Sequence, residues 1–181
     1  MPEVHIVGEL LGAANFNLPN LFCRWTISPG GEWSMLAGEE RGQTQVDVGD
    51  GSGYTVWSHP VDVHYSTVAV KGWPRFFFEV WHEDRYGRNE LAGYGTCFVP
   101  TTPGEHNVEC ATWRPEGSAW DKLSSFFLGN KPRLERPSLV TTSEDRFDLF
   151  AETAGRVFMR INVVTRGFEN RGVRQWPRQQ R

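Results

Sequence analysis

The feature that most constrains this chain is a two-residue alternation interrupted by a charged turn. In the stretch from Lys71 to Pro100, Phe76, Phe78 and Val80 fall on one face of an extended segment, and Phe77, Glu79 and Trp81 fall on the other. The alternation ends in HEDRYGRNE, residues 82–90, where Gly87 and Asn89 supply turn conformations, and the chain then resumes as LAGYGTCFVP. The stretch reads as a β-arch or hairpin with a charged tip, and the rest of the chain has to provide the sheet that covers it.

The same period recurs along the sequence. Val4, Ile6, Gly8 and Leu10 alternate with Glu3, His5 and Glu9; after the loop AANFNLPN, Leu21, Cys23, Trp25 and Ile27 alternate with Phe22, Arg24 and Thr26 as far as the turn SPGGE. Short pieces follow at 33–36 and 43–48. Residues 55–66 form a long strand despite Pro60, whose missing N–H requires an edge position or a bulge. Further strands are predicted at 106–113 and 157–163. The period changes only in SAWDKLSSFFLG, where Ser118 as N-cap, Asp121 three residues on and Gly129 as a stop predict a helix covering an open end or face of the sheet. The Pro-broken segment 130–146 reads as a loop holding one short strand at 138–142. An all-β fold follows: an antiparallel β-sandwich of Greek-key type, with about eight strands and one short helix in a connection. One domain spans 1–168, and residues 169–181 form a basic, frayed tail.

Composition sets the class. A 181-residue chain buries roughly 70% of its unfolded surface and needs no staples. The net charge of −3 gives no general attraction to nucleic acid or acidic membrane. The three cysteines, Cys23, Cys97 and Cys110, are odd in number and lack metal spacing, so a reduced intracellular chain without a disulfide framework is expected. Glu3 and Glu9 interrupt the apolar N-terminus, which argues against a signal peptide, and no apolar run reaches the ~20 residues of a membrane helix. Any membrane attachment is expected to be peripheral.

The tip carries the densest group of potential ligands. Its frame resembles the calcium loop of C2-type membrane-binding modules, where a strand ends in Val-x-Asp-x-Asp with another Asp six residues on and a Gly soon after; here the frame reads Val80, His82, Asp84, Glu90, Gly93. Calcium takes about six to eight oxygens, largely from carboxylates. His82 presents a nitrogen instead, and the second loop, with Asp in an Asp-Pro-Tyr context in those modules, reads Asn20-Leu21-Phe22 here. His82, Asp84 and Glu90 are therefore read as a relic loop or simply a solvated hairpin tip, with no metal and no other cofactor expected. Ser58, His59 and Asp62 are the residue types of a catalytic triad, but neighbours on one strand alternate faces and do not converge. Gly93-x-Gly95 has no helix after it and is read as permitting close approach rather than cradling phosphate. Trp33, Trp113 and Trp120, in or beside loops, are candidate partner anchors or core lids. Phe22, Phe77 and Trp81 make either a second layer or a partner-binding sheet face. Arg171, Arg174, Arg178 and Arg181 form a solvated terminus or a weak contact for anionic lipid or an acidic partner.

Several segments in order, EVHIVGEL, LFCRW, GQTQVD, YTVWSHPVDVHY, GWPRFFFEVWHEDRYGRNELAGYGTCFVP, TWRPEG and INVVTRGF, resemble the B9-domain family of ciliary proteins over residues 3–168, with GWP and AGYG together as the specific combination. The resemblance implies a C2-like β-sandwich without enzymatic activity. It also implies assembly with sister B9-domain proteins into part of the Meckel-syndrome complex at the ciliary transition zone and basal body, supporting ciliogenesis, ciliary membrane composition and hedgehog signalling. The alternative is a peripheral lipid-binding C2-like module that uses the 82–90 tip and the basic tail.

Overall fold

A computed structural model describes residues 1–49, 51, 53–115 and 151–168. Among these residues the alternation produces nine strands: β1 (Glu3–Ala14), β2 (Leu21–Ser28), β3 (Trp33–Gly38), β4 (Arg41–Gln43), β5 (Tyr54–Thr67), β6 (Arg75–Glu83), β7 (Asn89–Phe98), β8 (Gly104–Pro115) and β9 (Ala151–Arg166). They run β3-β5-β1-β9-β8-β7-β6-β2-β4, each antiparallel to its neighbours. The join between β7 and β8 is thin, consisting of Tyr94 opposite Trp113 and Gly95 opposite Thr112. On either side of that seam the halves turn their apolar faces towards each other. Ile6, Leu10, Trp57, Val63, Tyr65 and Met159 from one half share a single buried core with Cys23, Trp25, Ile27, Phe76, Phe78 and Val80 from the other. Contacts bridge the layers, among them the Trp57 Nε1–H donating to the Leu21 carbonyl at 3.1 Å and the Trp25 ring meeting His59 edge-on. The result is a β-sandwich whose early connections, β1 to β2 through β5 to β6, all pass from one half to the other.

Three details refine the sequence reading. The segment expected to be a strand at 43–48 is instead β4, ending at Gln43, followed by a lone bridge between Leu21 and Asp47. Thr44 is the cause: its hydroxyl accepts the Cys23 N–H at 2.9 Å and donates to the Gln45 carbonyl, so a side chain takes the place of a ladder bond. β1 runs on to Ala14, through what reads as loop, because a register shift between Leu10 and Gly12 re-aligns it with β5 and β9. Pro60 finds both of the conditions either of which would accommodate it. It sits beside that shift, and the β3 ladder ends at Val63, so its other flank is locally an edge. The predicted helix at 118–129, the strand at 138–142, Trp120 and the tail arginines lie outside the described residues.

Candidate interaction site

The strand ends gather the tip with two other loops. Asn20 donates from Nδ2 to the Glu83 carbonyl at 3.1 Å and accepts the Glu83 N–H through its own carbonyl at 3.0 Å. His82 Nδ1 lies 2.6 Å from the Pro19 carbonyl, and Asn15 N–H reaches the Gly53 carbonyl. The 15–20 and 84–88 loops, with Val48, Gly49 and Gly53 of the connection before β5, therefore form one end of the sandwich. Within the tip the Asp84 carboxylate organises the turn: Oδ1 accepts the backbone N–H groups of Tyr86 and Arg88 at 2.8 and 2.9 Å, and Oδ2 accepts Arg88 Nε at 2.7 Å. The Arg88 N–H, with the Arg88 guanidinium and the Tyr86 N–H, holds the Asp84 carboxyl below its ordinary range. A guanidinium from within the loop thus takes up the Asp84 oxygens that would otherwise face a bound cation. Tyr86 projects outward, 68% exposed, with the guanidinium carbons of Arg85 and Arg88 at 4.9 and 5.4 Å from its ring centre. Val48, 70% exposed, lies on the neighbouring loop at the same end.

The outer face of the β7-β6-β2-β4 half is aromatic. Register places Phe22 beside Trp81, Arg24 beside Glu79 and Thr26 beside Phe77. Phe22, Trp81, Leu91 and Tyr94 form a second buried cluster against which Phe77 and Trp113 pack. Tyr94 lies between the last two, with ring centres 6.0 Å from Phe77 and 5.7 Å from Trp113. Arg24 covers one end, 5.7 Å from the Phe22 ring and 5.3 Å from that of Trp81, while its Nε donates to Gln43 Oε1 at 2.9 Å. Four of the six aromatic residues singled out from sequence, Phe22, Phe77, Trp81 and Trp113, are thus brought together. Trp33 belongs elsewhere: it is buried against Tyr65 and Trp73, and its Nε1–H donates to the Lys71 carbonyl.

The outer face of the other half is polar. His5 Nε2 lies 2.7 Å from Asp62 Oδ1, and His64 Nε2 lies 3.4 Å from Glu3 Oε2; Arg160 pairs with Glu9 and Arg114 with Glu152. Asp62 therefore serves His5 while His59 turns to Trp25, so the triad residue types do not converge. Burial lowers the His59 pKa. The three cysteines carry free thiols, and a hydrogen bond with Cys110, together with burial, pushes the Cys97 thiol up. Sequence reasoning missed Arg88, whose contact with Asp84 depends on the turn at Gly87. It also missed Leu91 and Tyr94, which a register count across the hairpin places opposite Trp81 and Glu79.

A two-layer antiparallel sandwich whose charged tip is closed by its own arginine, and whose outer face carries an aromatic cluster, is a C2-like β-sandwich. The family described as "Ciliary basal body-associated, B9 protein" (B9-C2) matches residues 4–164. B9 domain-containing protein 2 of Danio rerio is 43% identical over 173 residues, covering 96% of this chain and 99% of the relative, and that of Homo sapiens is 42% identical with the same coverage. B9 domain-containing protein 1 of Mus musculus is 30% identical, covering 92% of this chain and 83% of the relative. The chain belongs to the B9 protein family.

Proposed function

We propose that this chain is a non-enzymatic scaffold subunit that assembles with other B9-domain proteins in the Meckel-syndrome complex at the ciliary transition zone and basal body. There it supports ciliogenesis and the ciliary membrane gate. The observation that carries the reading is the correspondence with B9 domain-containing protein 2 through both halves of the sandwich, at 42–43% identity over 96% of the chain. The test is co-expression with B9 domain-containing protein 1 and the remaining B9-domain protein, followed by size-exclusion chromatography with light scattering. A stable co-eluting species well above the 20.6 kDa of this chain alone supports the reading. Elution as a monomer under every combination overturns it.

The exposed Arg85 and Tyr86 of the tip favour a second reading, peripheral contact with anionic lipid without calcium. Tyr86 between Arg85 and Arg88, with Val48 exposed nearby, has the charge and the amphipathic side chain that a membrane interface accepts. Sedimentation with phosphatidylserine vesicles in the presence of a calcium chelator should bring the chain down, and Tyr86→Ala should release it. Loss on deletion of 169–181 instead would move the contact to Arg171, Arg174, Arg178 and Arg181, and no binding with or without calcium would remove the reading.

A further inference from the structure

The two edges of the nine-stranded sheet are not alike. β4 is blunt, only Arg41–Gln43, and carries a charge. β3 is twice as long, reads WSMLAG without charge or proline, and is exposed at every position after Trp33. Folded proteins protect sheet edges with shortness, charge, proline or a covering element; among the described residues β3 has only the register shift between Met35 and Ala37. Met35 is 49% and Leu36 53% exposed. The Val68 N–H donates to the Glu32 carbonyl at 3.2 Å, so alternation directs the backbone groups of Glu32 and Ser34 towards β5 and those of Met35 away from the sheet. Val68 and Val70, 45% and 41% exposed, continue the apolar strip past the start of the strand.

We propose that β3 is a docking edge, to which an extended segment of a different chain, apolar at its centre and flanked by lysine or arginine, adds as a further strand. Outward backbone donors and acceptors, unpaired among the described residues, suit a strand as occupant, and the charges select which one. Glu32 stands exposed just before β3 and Glu39 just after it. A second copy pairing antiparallel about Met35 and Leu36 would set Glu32 against the copy's Glu39 at both ends, and directly opposed like charges destabilise a strand pair. Basic flanks remove that conflict. The inference rests on the scaffold reading and names the surface that reading leaves open.

The test measures affinity for B9 domain-containing protein 1 with wild-type chain, Met35→Pro, Leu36→Lys and the Glu32→Lys/Glu39→Lys double variant, alongside the melting temperature of each chain alone. Met35→Pro removes an outward N–H and should weaken the complex by about 100-fold with little change in melting temperature. The double charge reversal should weaken it by about 10-fold and flatten its salt dependence. Should Met35→Pro itself be destabilised, Leu36→Lys, together with hydrogen-exchange protection of residues 33–38 on complex formation, decides. A wild-type complex that all variants form equally well overturns the edge assignment and leaves the scaffold reading standing. No wild-type complex overturns both, and a dimer of this chain abolished by Met35→Pro overturns the choice of occupant.

Discussion

A β-carbon built on Gly93 lies 3.0 Å from the Ala154 Cβ, 3.3 Å from Thr112 Oγ1 and 3.4 Å from the Phe16 ring. β7 therefore passes close beneath β8 and β9 at the seam joining the two halves, and Gly93→Val should cost about 1–3 kcal/mol through overpacking. Urea denaturation measures it, and an unchanged midpoint would contradict the close-approach account. This constraint was legible as a Gly-x-Gly lacking a following helix, although the neighbours that impose it come from distant strands. Asp84 makes the complementary case. Its folded pKa lies below its unfolded value, so its contribution to tip order is complete above about pH 4 and is lost as pH falls through the lowered folded pKa. A carboxyl titration followed by NMR should place the Asp84 midpoint below about 3.9, and a midpoint at or above it would remove the ion pair from the explanation of the loop. The ligand deficit of the tip could be read from residue types alone. That Arg88 fills it could not, because the contact exists only once Gly87 has taken its left-handed turn conformation, φ 75°.

At the scale of strands, alternation was legible because a pleated strand sends successive side chains to opposite faces. β2 and β6 carry aromatic residues on the second face as well, Phe22 on β2 and Phe77 and Trp81 on β6, and period alone does not say whether that face is covered. The register settles it: Trp25 opposite Phe78 points inward, and Phe22 opposite Trp81 points outward into the second cluster. Phe22 is nevertheless only 2% exposed, as deeply buried as a core residue. Phe22→Ala should therefore cost about 3–5 kcal/mol, the range for a buried phenylalanine, and not the fraction of a kcal/mol expected of an exposed side chain. Equilibrium denaturation of Phe22→Ala beside Phe76→Ala reads this directly. A cost below about 1 kcal/mol for Phe22 alone would mean that its outer face is held by something weaker than core packing. β4 shows where the period fails as a guide, since a single hydroxyl on Thr44 ended the strand that QTQVDV was read to form.

Across the whole molecule, strand order was not legible, because alternation specifies a buried face and carries no information about the neighbour. β1 and β9, the first and last described strands, lie side by side in the middle of one half, with Glu3 opposite Arg166 and Ala14 opposite Arg156. The fold is therefore closed by its most distant segments, and chain truncation should act as a step rather than a slope. Among the described residues Phe168 is the last in the buried core, its ring 6.1 Å from that of Trp73. Cutting after Phe168 removes the basic tail and should leave the thermal midpoint within about 2 °C of the full chain, less than the shift that about 1 kcal/mol produces at this size. Cutting after Arg156 removes Val157, Met159, Ile161 and Val163, each at most 1% exposed, and leaves β1 and β8 with facing edges that have no strand between them. Loss of four such side chains at roughly 1.5–3 kcal/mol each equals or exceeds most of the 5–15 kcal/mol stability of an ordinary domain. That variant should show no cooperative transition by circular dichroism. If the shorter cut also abolished the transition, residues 169–181 would belong to the folded domain, and its boundary would lie beyond Phe168.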